Sequence, residues 1–429
     1  MTDDNRILSR TNLARAFQTL ADLLNTEAEA EAMNILPRLI RALEETETEK
    51  EKVQREPIPP EKFHNLIDDV CRDRYDADDV RRYGEIEDWD TSLINNMSCA
   101  FLNQTTFNRD ISRWNTSRVV TMEYMFSGAL SFNKPLKAWN TSRVTNMSHM
   151  FFRACTFDQR LNGWDVSQVT DMSDMFAKAS TFNGNLNGWN VSQVTTMRNM
   201  FSNAWLFNHP LNSWNVSRVT DMSAMFCDAK AFNQPLNDWN TSQVTNMRMM
   251  FCGAKAFNQP VWAWDVSNVT NMEKMFRDAV NFHQPLGGWD VGRVVNMHEM
   301  FHGAVTFDQP LGAWNIRAVM TMARMFAGAK NFRQPLGGWR VAVAVDVADM
   351  FNGCYSFSGP YPIRVFENGA VCSIRYGDNL GYLLGNMRLW FVDAPVDKED
   401  EESVEEPFFA VASHDDNCRR RRRRNVNKL

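Results

Sequence analysis

Residues 239–263 read W-N-T-S-Q-V-T-N-M-R-M-M-F-C-G-A-K-A-F-N-Q-P-V-W-A, and close copies of this segment precede and follow it. A Met-Phe pair and a second Phe six residues later recur with the same period, as at Met250, Phe251 and Phe257. An unbroken period predicts a stack of coils in which each side chain lies on its counterpart. The tryptophan returns every 25 residues, eleven times without insertion or deletion, at Trp89, Trp114, Trp139, Trp164, Trp189, Trp214, Trp239, Trp264, Trp289, Trp314 and Trp339.

Each repeat predicts a coil of strand, turn, short helix and loop. Leu236, Trp239 and Thr241 alternate across a short stretch suited to a strand. In the M-x-x-M-F-x-x-A segment the apolar residues fall at i, i+3, i+4 and i+7, which is typical of one helical face. We therefore expect an α/β solenoid, a curved leucine-rich-repeat-like array of eleven strand–turn–short-helix coils. The residue seven places after each Trp suits a helix N-cap: Asn96, Thr121, Asn146, Asp171, Thr196, Asp221, Asn246, Asn271, Asn296, Thr321 and Asp346.

The repeat also resembles a known family. The pattern V-T-x-M-x-x-M-F-x-x-A-x-x-F-N-x-x-L-x-x-W-[DN]-[VT]-S is similar to the 25-residue repeat of BspA-type leucine-rich repeat surface proteins, which occur in mycoplasmas, other bacteria, protists, algae and large DNA viruses. The likeness covers about residues 84 to 360. It implies a leucine-rich-repeat-like solenoid that binds partners, often at cell surfaces, without enzymatic activity.

The flanks divide the chain into four predicted regions: a helical N-terminal region and cap at 1–83, the solenoid at 84–360, a β-rich C-terminal cap at 361–396, and a disordered acidic then polyarginine tail at 397–429. The N-terminal region could instead be a separate partner-binding module. A helix from Glu61 would present Phe63, Leu66, Ile67 and Val70 on one face. The alternation from Val365 to Tyr376 around Glu-Asn-Gly predicts a hairpin.

Composition favours some classes of protein over others. The chain has 429 residues and a formal charge of −6, so the repeats are not an obvious nucleic-acid surface. No stretch of about 18 apolar residues predicts a membrane span, and the first residues do not resemble a secretory signal. We therefore expect an intracellular (cytoplasmic or nuclear) or virion protein rather than a secreted one. Free thiols are favoured, and Cys227 and Cys252, although in one phase, are expected to lie too far apart on a helical side to bridge.

One polar row is the candidate binding surface. These side chains follow each Trp and would form a ladder along the strands. A structural interpretation competes, in which each side chain accepts a hydrogen bond from the backbone two residues on or from its neighbour in the ladder. Calcium binding is disfavoured because the acids are sparse. The row consists of Asp90, Asn115, Asn140, Asp165, Asn190, Asn215, Asn240, Asp265, Asp290 and Asn315.

Two further motifs suggest chemistry. His298, Glu299 and His302 match H-E-x-x-H, the spacing of zinc hydrolases, but they interrupt a core segment and no third ligand is evident. The last motif could contact the phosphates of a nucleic acid or act as an import signal, or it could be a solvated tail partly neutralised by the acidic run before it. It is the run Arg419, Arg420, Arg421, Arg422, Arg423 and Arg424. We expect a non-enzymatic protein without cofactors or metals that binds or scaffolds a protein partner. The alternatives are a structural component of a particle or surface layer and, remotely, a zinc hydrolase at His298 and His302.

Overall fold

Successive repeats lie on one another so that identical side chains meet. The computed structural model describes residues 55–341, 345–357, 364–367 and 370–373. All of its helices and strands belong to the unit Pro57–Leu429. These elements are helix α1 (Phe63–Cys71), helix α2 (Ala77–Tyr83), a 3₁₀ helix (Ile86–Asp88) and strands β1 (Arg340–Val341), β2 (Arg364–Glu367) and β3 (Ala370–Ser373).

The core is a set of aromatic columns that run from coil to coil. Trp139 and Trp164 stack with ring centroids 6.4 Å apart and planes 1° apart, and Phe126 and Phe151 stack at 5.6 Å. From the second repeat tryptophan, Trp114, onward, each indole N–H also donates to a carbonyl 28 residues earlier, as from Trp214 to Leu186 at 2.9 Å. The large apolar side chains are therefore buried together, and the polar edge of each indole has a partner.

The segment expected to be a short helix is instead a series of stacked turns. Tyr124 and Gly128 have φ values of 57° and 72°, in the left-handed region that an α-helix does not use. The N–H of Phe126 donates to Met150 of the next coil at 2.9 Å, whereas the N–H of Met125 donates back to Met122 at 3.1 Å. Two left-handed residues recur at these positions in all eleven repeats. The prediction of a short helix in each coil is therefore wrong.

Spacing explains this difference. Helices pack with their axes about 8–10 Å apart, whereas neighbouring rings in the Phe column are 5.6 Å apart. Coils joined at so short a spacing must bond main chain to main chain, as neighbouring strands do at about 4.8 Å. Turns with alternating bonds meet this requirement and still point every third or fourth residue inward.

The main-chain pairing also lies at a different place from the one expected. The predicted strand around Trp239 consists of two turns, closed by bonds from Trp239 to Leu236 and from Val244 to Thr241. Parallel bridges instead join the residues predicted as N-caps, from Asn96↔Thr121 to Thr321↔Asp346. Their side chains still accept a backbone N–H two residues on, as Asn146 Oδ1 does from Ser148 at 2.8 Å. The role of these side chains as acceptors of a nearby backbone N–H was predicted correctly, but the helix that they were expected to begin was not.

Helix α1 covers the first coils. Phe63, Leu66 and Ile67 are buried on one face of the helix, which confirms the helix expected from Glu61. Phe63 meets the Trp114 ring edge-on at 5.7 Å, and His64 Nε2 lies 2.9 Å from the Ser98 carbonyl oxygen. The first 54 residues of the helical N-terminal region expected at 1–83 lie outside the described residues.

At the other end, β1, β2 and β3 form a three-stranded sheet. β1 pairs in parallel with β2, through Arg340↔Arg364 and Val341↔Val365. β2 pairs antiparallel with β3, through Glu367↔Ala370 and Arg364↔Ser373. The hairpin expected around residues 367–369 is therefore confirmed. The rest of the expected cap at 361–396 lies outside the described residues.

Candidate binding surface

The ten candidate residues that follow the tryptophans are all exposed and all hold the same hydrogen bond. Each Oδ1 atom accepts the backbone N–H two residues on, at distances from 2.9 to 3.5 Å. The structural interpretation of the row is thus confirmed for the local bond. Among the described residues, no side chain or backbone group bonds to the remaining Nδ2 or Oδ2 atom of any of the ten. The row therefore presents one oriented polar group per coil.

Buried neighbours fix this orientation. In the coil that begins at Trp239, Asn240 is exposed between the buried Trp239 and Thr241 side chains. Thr241 Oγ1 donates to the Asp265 carbonyl oxygen of the next coil at 2.8 Å. Hydrogen bonds from the Ser267 hydroxyl and backbone N–H lower the pKa of the Asp265 carboxyl, so that carboxylate is stabilised in its charged form. Short turns between buried anchors hold the row in place.

Two further rows flank this one. A residue two places on, which is serine in eight of the ten coils, and a mostly Arg or Gln residue three places on complete the turn. Arg293 Nη1 donates to the Asn268 Oδ1 atom one coil earlier at 2.8 Å, and Arg218 contacts Gln193 in the same way. We call the surface made by the candidate row and these two rows, over residues 90–318, the Asx strip.

A second polar ladder was not predicted. Oδ1 of Asn208 accepts the backbone N–H of Asn233 in the next coil at 2.9 Å, and Asn183 does the same for Asn208 at 3.0 Å. Gln234 Nε2 also donates to Asn208 Oδ1, at 3.0 Å. The signal was the Asn or Asp that follows the second Phe of most repeats. This Asn ladder joins coils, whereas the Oδ1 atoms that follow the repeat tryptophans accept bonds within their own coil.

The H-E-x-x-H motif does not lie on a helix. Glu299 has a φ of 54°, and only 2% of its surface is exposed. Its carboxylate pairs with Arg277 and with Arg324 Nη1 at 2.9 Å. Burial, followed by the charge of Arg277, lowers the pKa of His302, and its Nε2 atom lies 3.2 Å from Arg324. The glutamate of the motif is therefore committed to an ionic cluster.

The remaining expectations concern metals, membrane spans, thiols and the arginine run. The described residues contain no group of three or more His, Cys, Asp or Glu side chains placed to hold a metal. No helix within the described ranges is long and apolar enough to cross a membrane. Cys99 is disulfide-bonded, so the expectation of free thiols fails there, whereas Cys71, Cys155, Cys227, Cys252 and Cys354 are free. The arginine run 419–424 lies outside the described residues.

Comparison with known proteins identifies the repeat. The family described as "Mycoplasma protein of unknown function, DUF285" matches residues 74–188, 170–279 and 259–363. No curated protein and no solved structure matches the chain. Because the three matches together cover more than half of the 429 residues, the chain belongs to this Mycoplasma-type tandem-repeat family.

Proposed function

We propose that the chain is a non-enzymatic binding protein whose repeats form a solenoid and whose Asx strip binds a protein partner. The observation that carries the proposal is the uniform presentation of the strip. Ten exposed side chains are held by the same backbone bond, and each has a donor or acceptor left over. A pre-oriented polar group loses little conformational freedom on binding. Amides, hydroxyls and guanidinium groups suit a partner rich in backbone or side-chain polar groups.

The resemblance to BspA-type repeats supports this proposal. Proteins of that kind use long repeat arrays for recognition, and arrays of identical coils offer an extended surface on which a partner contacts several coils at once. The motif V-T-N-M-R-M-M-F in residues 244–251 carries the likeness.

The ionic environment of Glu299 supports the non-enzymatic part of the proposal. A zinc hydrolase requires two histidines on one helical face and a glutamate free to take a proton from water. Here Glu299 is paired with Arg277 and Arg324, and its left-handed backbone takes the segment out of helical geometry. We therefore assign the His298–His302 segment to the stack rather than to catalysis.

A charge change on the strip tests the proposal. In the variant Asn190→Asp/Asn215→Asp/Asn240→Asp, each new carboxylate keeps the Oδ1 acceptor of the turn but loses the Nδ2 donor. The matched control Asn183→Asp/Asn208→Asp/Asn233→Asp makes the same change on the Asn ladder, where Asp158 already occurs. Both variants should fold as the unaltered chain does, because Asp also occurs in both rows.

The measurement is capture of partners by the tagged full chain from cells of its source, followed by titration of the partner that is recovered. The strip variant should bind that partner about tenfold or more weakly, because three hydrogen bonds are worth roughly 0.5–1.5 kcal/mol each. The control should bind unchanged. Equal binding by all three proteins would refute the assignment of the strip. Recovery of the chain only as a stoichiometric part of a particle would favour the structural alternative.

A further inference from the structure

Two free thiols occupy the same position in successive coils. Cys227 and Cys252 are both the thirteenth residue after a repeat tryptophan, Trp214 and Trp239 respectively. The backbones beside them are hydrogen-bonded: the N–H of Asp228 donates to the Cys252 carbonyl oxygen at 2.6 Å, and that of Phe226 donates to Met250 at 2.9 Å. The stacked turns thus place the two cysteines side by side.

This separation suits a disulfide. Chains bonded in this way run about 4.8 Å apart, and a disulfide joins Cα atoms about 4.4–6.8 Å apart. The expectation that the two cysteines lie too far apart assumed a helical side, and the turns remove that assumption. Cys71, Cys155 and Cys354, the other free cysteines among the described residues, do not share a phase with any other cysteine of the repeats.

The environments of the two thiols differ. Cys227 is 6% exposed, its Sγ atom lies 3.9 Å from Asp228 Oδ2, and the neighbouring Cys252 thiol and burial raise its pKa. Cys252 is half-buried, and the neighbouring Cys227 thiol, together with the charge of Arg277, lowers its pKa although burial acts in the opposite direction. Dithiol exchange needs an accessible thiolate as nucleophile and a neighbouring thiol to resolve the intermediate. Cys252 fits the first role and Cys227 the second.

We propose that Cys227 and Cys252 form a redox site that is oxidised by small-molecule disulfides to a reversible disulfide between the two coils. In the first step the Cys252 thiolate attacks one sulfur of the small disulfide, forms a mixed disulfide and expels one thiolate. In the second step Cys227 gives up its proton and attacks the Cys252 sulfur, which expels the second thiolate. Two protein thiols are oxidised and one small disulfide is reduced to two thiols. This site is separate from the proposed binding function.

Peptide mapping of the full chain tests the site. The reduced protein is incubated with oxidised glutathione, alkylated and digested, and linked peptides are identified by mass spectrometry. We expect a Cys227–Cys252 linked peptide, the loss of these two free thiols, and their return with dithiothreitol. A mixed disulfide that persists on Cys252 in the unaltered chain, or two unmodified thiols, would overturn the proposal.

Variants separate the two roles. Cys227→Ser should trap glutathione on Cys252, because no thiol is left to resolve the mixed disulfide. Cys252→Ser should leave Cys227 unmodified, because the remaining thiol is buried. The control Cys155→Ser removes a free cysteine of another phase and should leave the Cys227–Cys252 link intact. An unmodified Cys252 in Cys227→Ser would contradict the assignment of the nucleophile. The map of the unaltered chain does not depend on how these variants fold.

Discussion

At the residue scale, each repeat tryptophan stacks its ring in the core and donates a hydrogen bond from its indole N–H. The Trp214 ring stacks on Trp239 at 6.5 Å, and its N–H donates to the Leu186 carbonyl oxygen. That oxygen also accepts the N–H of Trp189, which closes a turn in its own coil. The sequence identified the core role of the tryptophan from its period. It could not identify the acceptor, because a bond to a residue 28 places earlier depends on how the coils are offset.

Trp214→Phe tests this double role. Phe keeps a stacked ring but leaves a void and removes the donor to Leu186. We expect the free energy of unfolding to fall by about 2–4 kcal/mol, from the cavity and the lost hydrogen bond together. The control Trp262→Phe alters a tryptophan that is 58% exposed and outside the period, and its effect should stay within about 0.5 kcal/mol. Urea unfolding of both variants supplies the comparison, and equal effects would rule out the proposed role.

Glu273 makes stability depend on pH. Although burial opposes ionisation, the bonds from Arg248 and Lys274 prevail and lower its pKa. Because the pKa of Glu273 is lower in the folded protein than in the unfolded chain, this stabilisation is complete at pH values above the pKa of the unfolded chain. It is lost as the pH falls through the pKa of the folded protein. Glu273→Gln should therefore destabilise the protein by about 1–2 kcal/mol at pH 7, and the deficit should shrink by pH 3. Unfolding curves at both pH values test this, with the exposed Asp238→Asn as control. A deficit that does not change with pH would contradict the assigned cause.

At the element scale, the spacing of the apolar residues, taken alone, led to the wrong prediction of a short helix in each coil. Apolar residues at i, i+3, i+4 and i+7 fit a helix, but successive four-residue turns, closed by bonds such as that from Met125 to Met122, orient side chains in nearly the same way. A second signal was available at the later left-handed position, where most repeats carry Asn, Asp or Gly, the residues that tolerate a positive φ. These residues are Asn103, Gly128, Asn203, Asp228, Gly253, Asp278, Gly303, Gly328 and Gly353.

A pair of substitutions at Lys274 distinguishes the turns from a helix. Lys274 has a φ of 57°, and its Nζ atom lies 3.1 Å from Glu273. Lys274→Asn and Lys274→Val both remove this ion pair, so their difference reports on the backbone. Asn and Val have similar helix propensities, but a β-branched residue is strongly disfavoured at positive φ. Lys274→Val should be less stable than Lys274→Asn by about 1–2 kcal/mol. Equal unfolding midpoints would favour the helix.

At the scale of the whole molecule, the 25-residue period predicts more of the fold than the sequences of the two flanking regions do. The stack follows from eleven tryptophans in one phase, since only aligned coils can bring them together. The hairpin at 364–373 follows from local turn chemistry, and its strands pair as expected. The partner cannot be predicted in this way. The bonds that hold the Asx strip are made within the chain and do not depend on what binds there.

The period also predicts which deletions the chain tolerates. Removing residues 189–213 takes out one full coil and joins Gly188 to Trp214, so that Trp164 can stack on Trp214. Stability in stacked repeats is close to a sum over neighbouring interfaces, and this variant should fold with a lower unfolding midpoint. Removing residues 189–212 instead leaves one extra residue, which shifts every later side chain by one position and turns core residues outward. We expect that variant to aggregate or to lose cooperative unfolding. Size-exclusion chromatography and tryptophan fluorescence during urea unfolding compare the two. Equal tolerance of both deletions would mean that register between coils does not hold the molecule together.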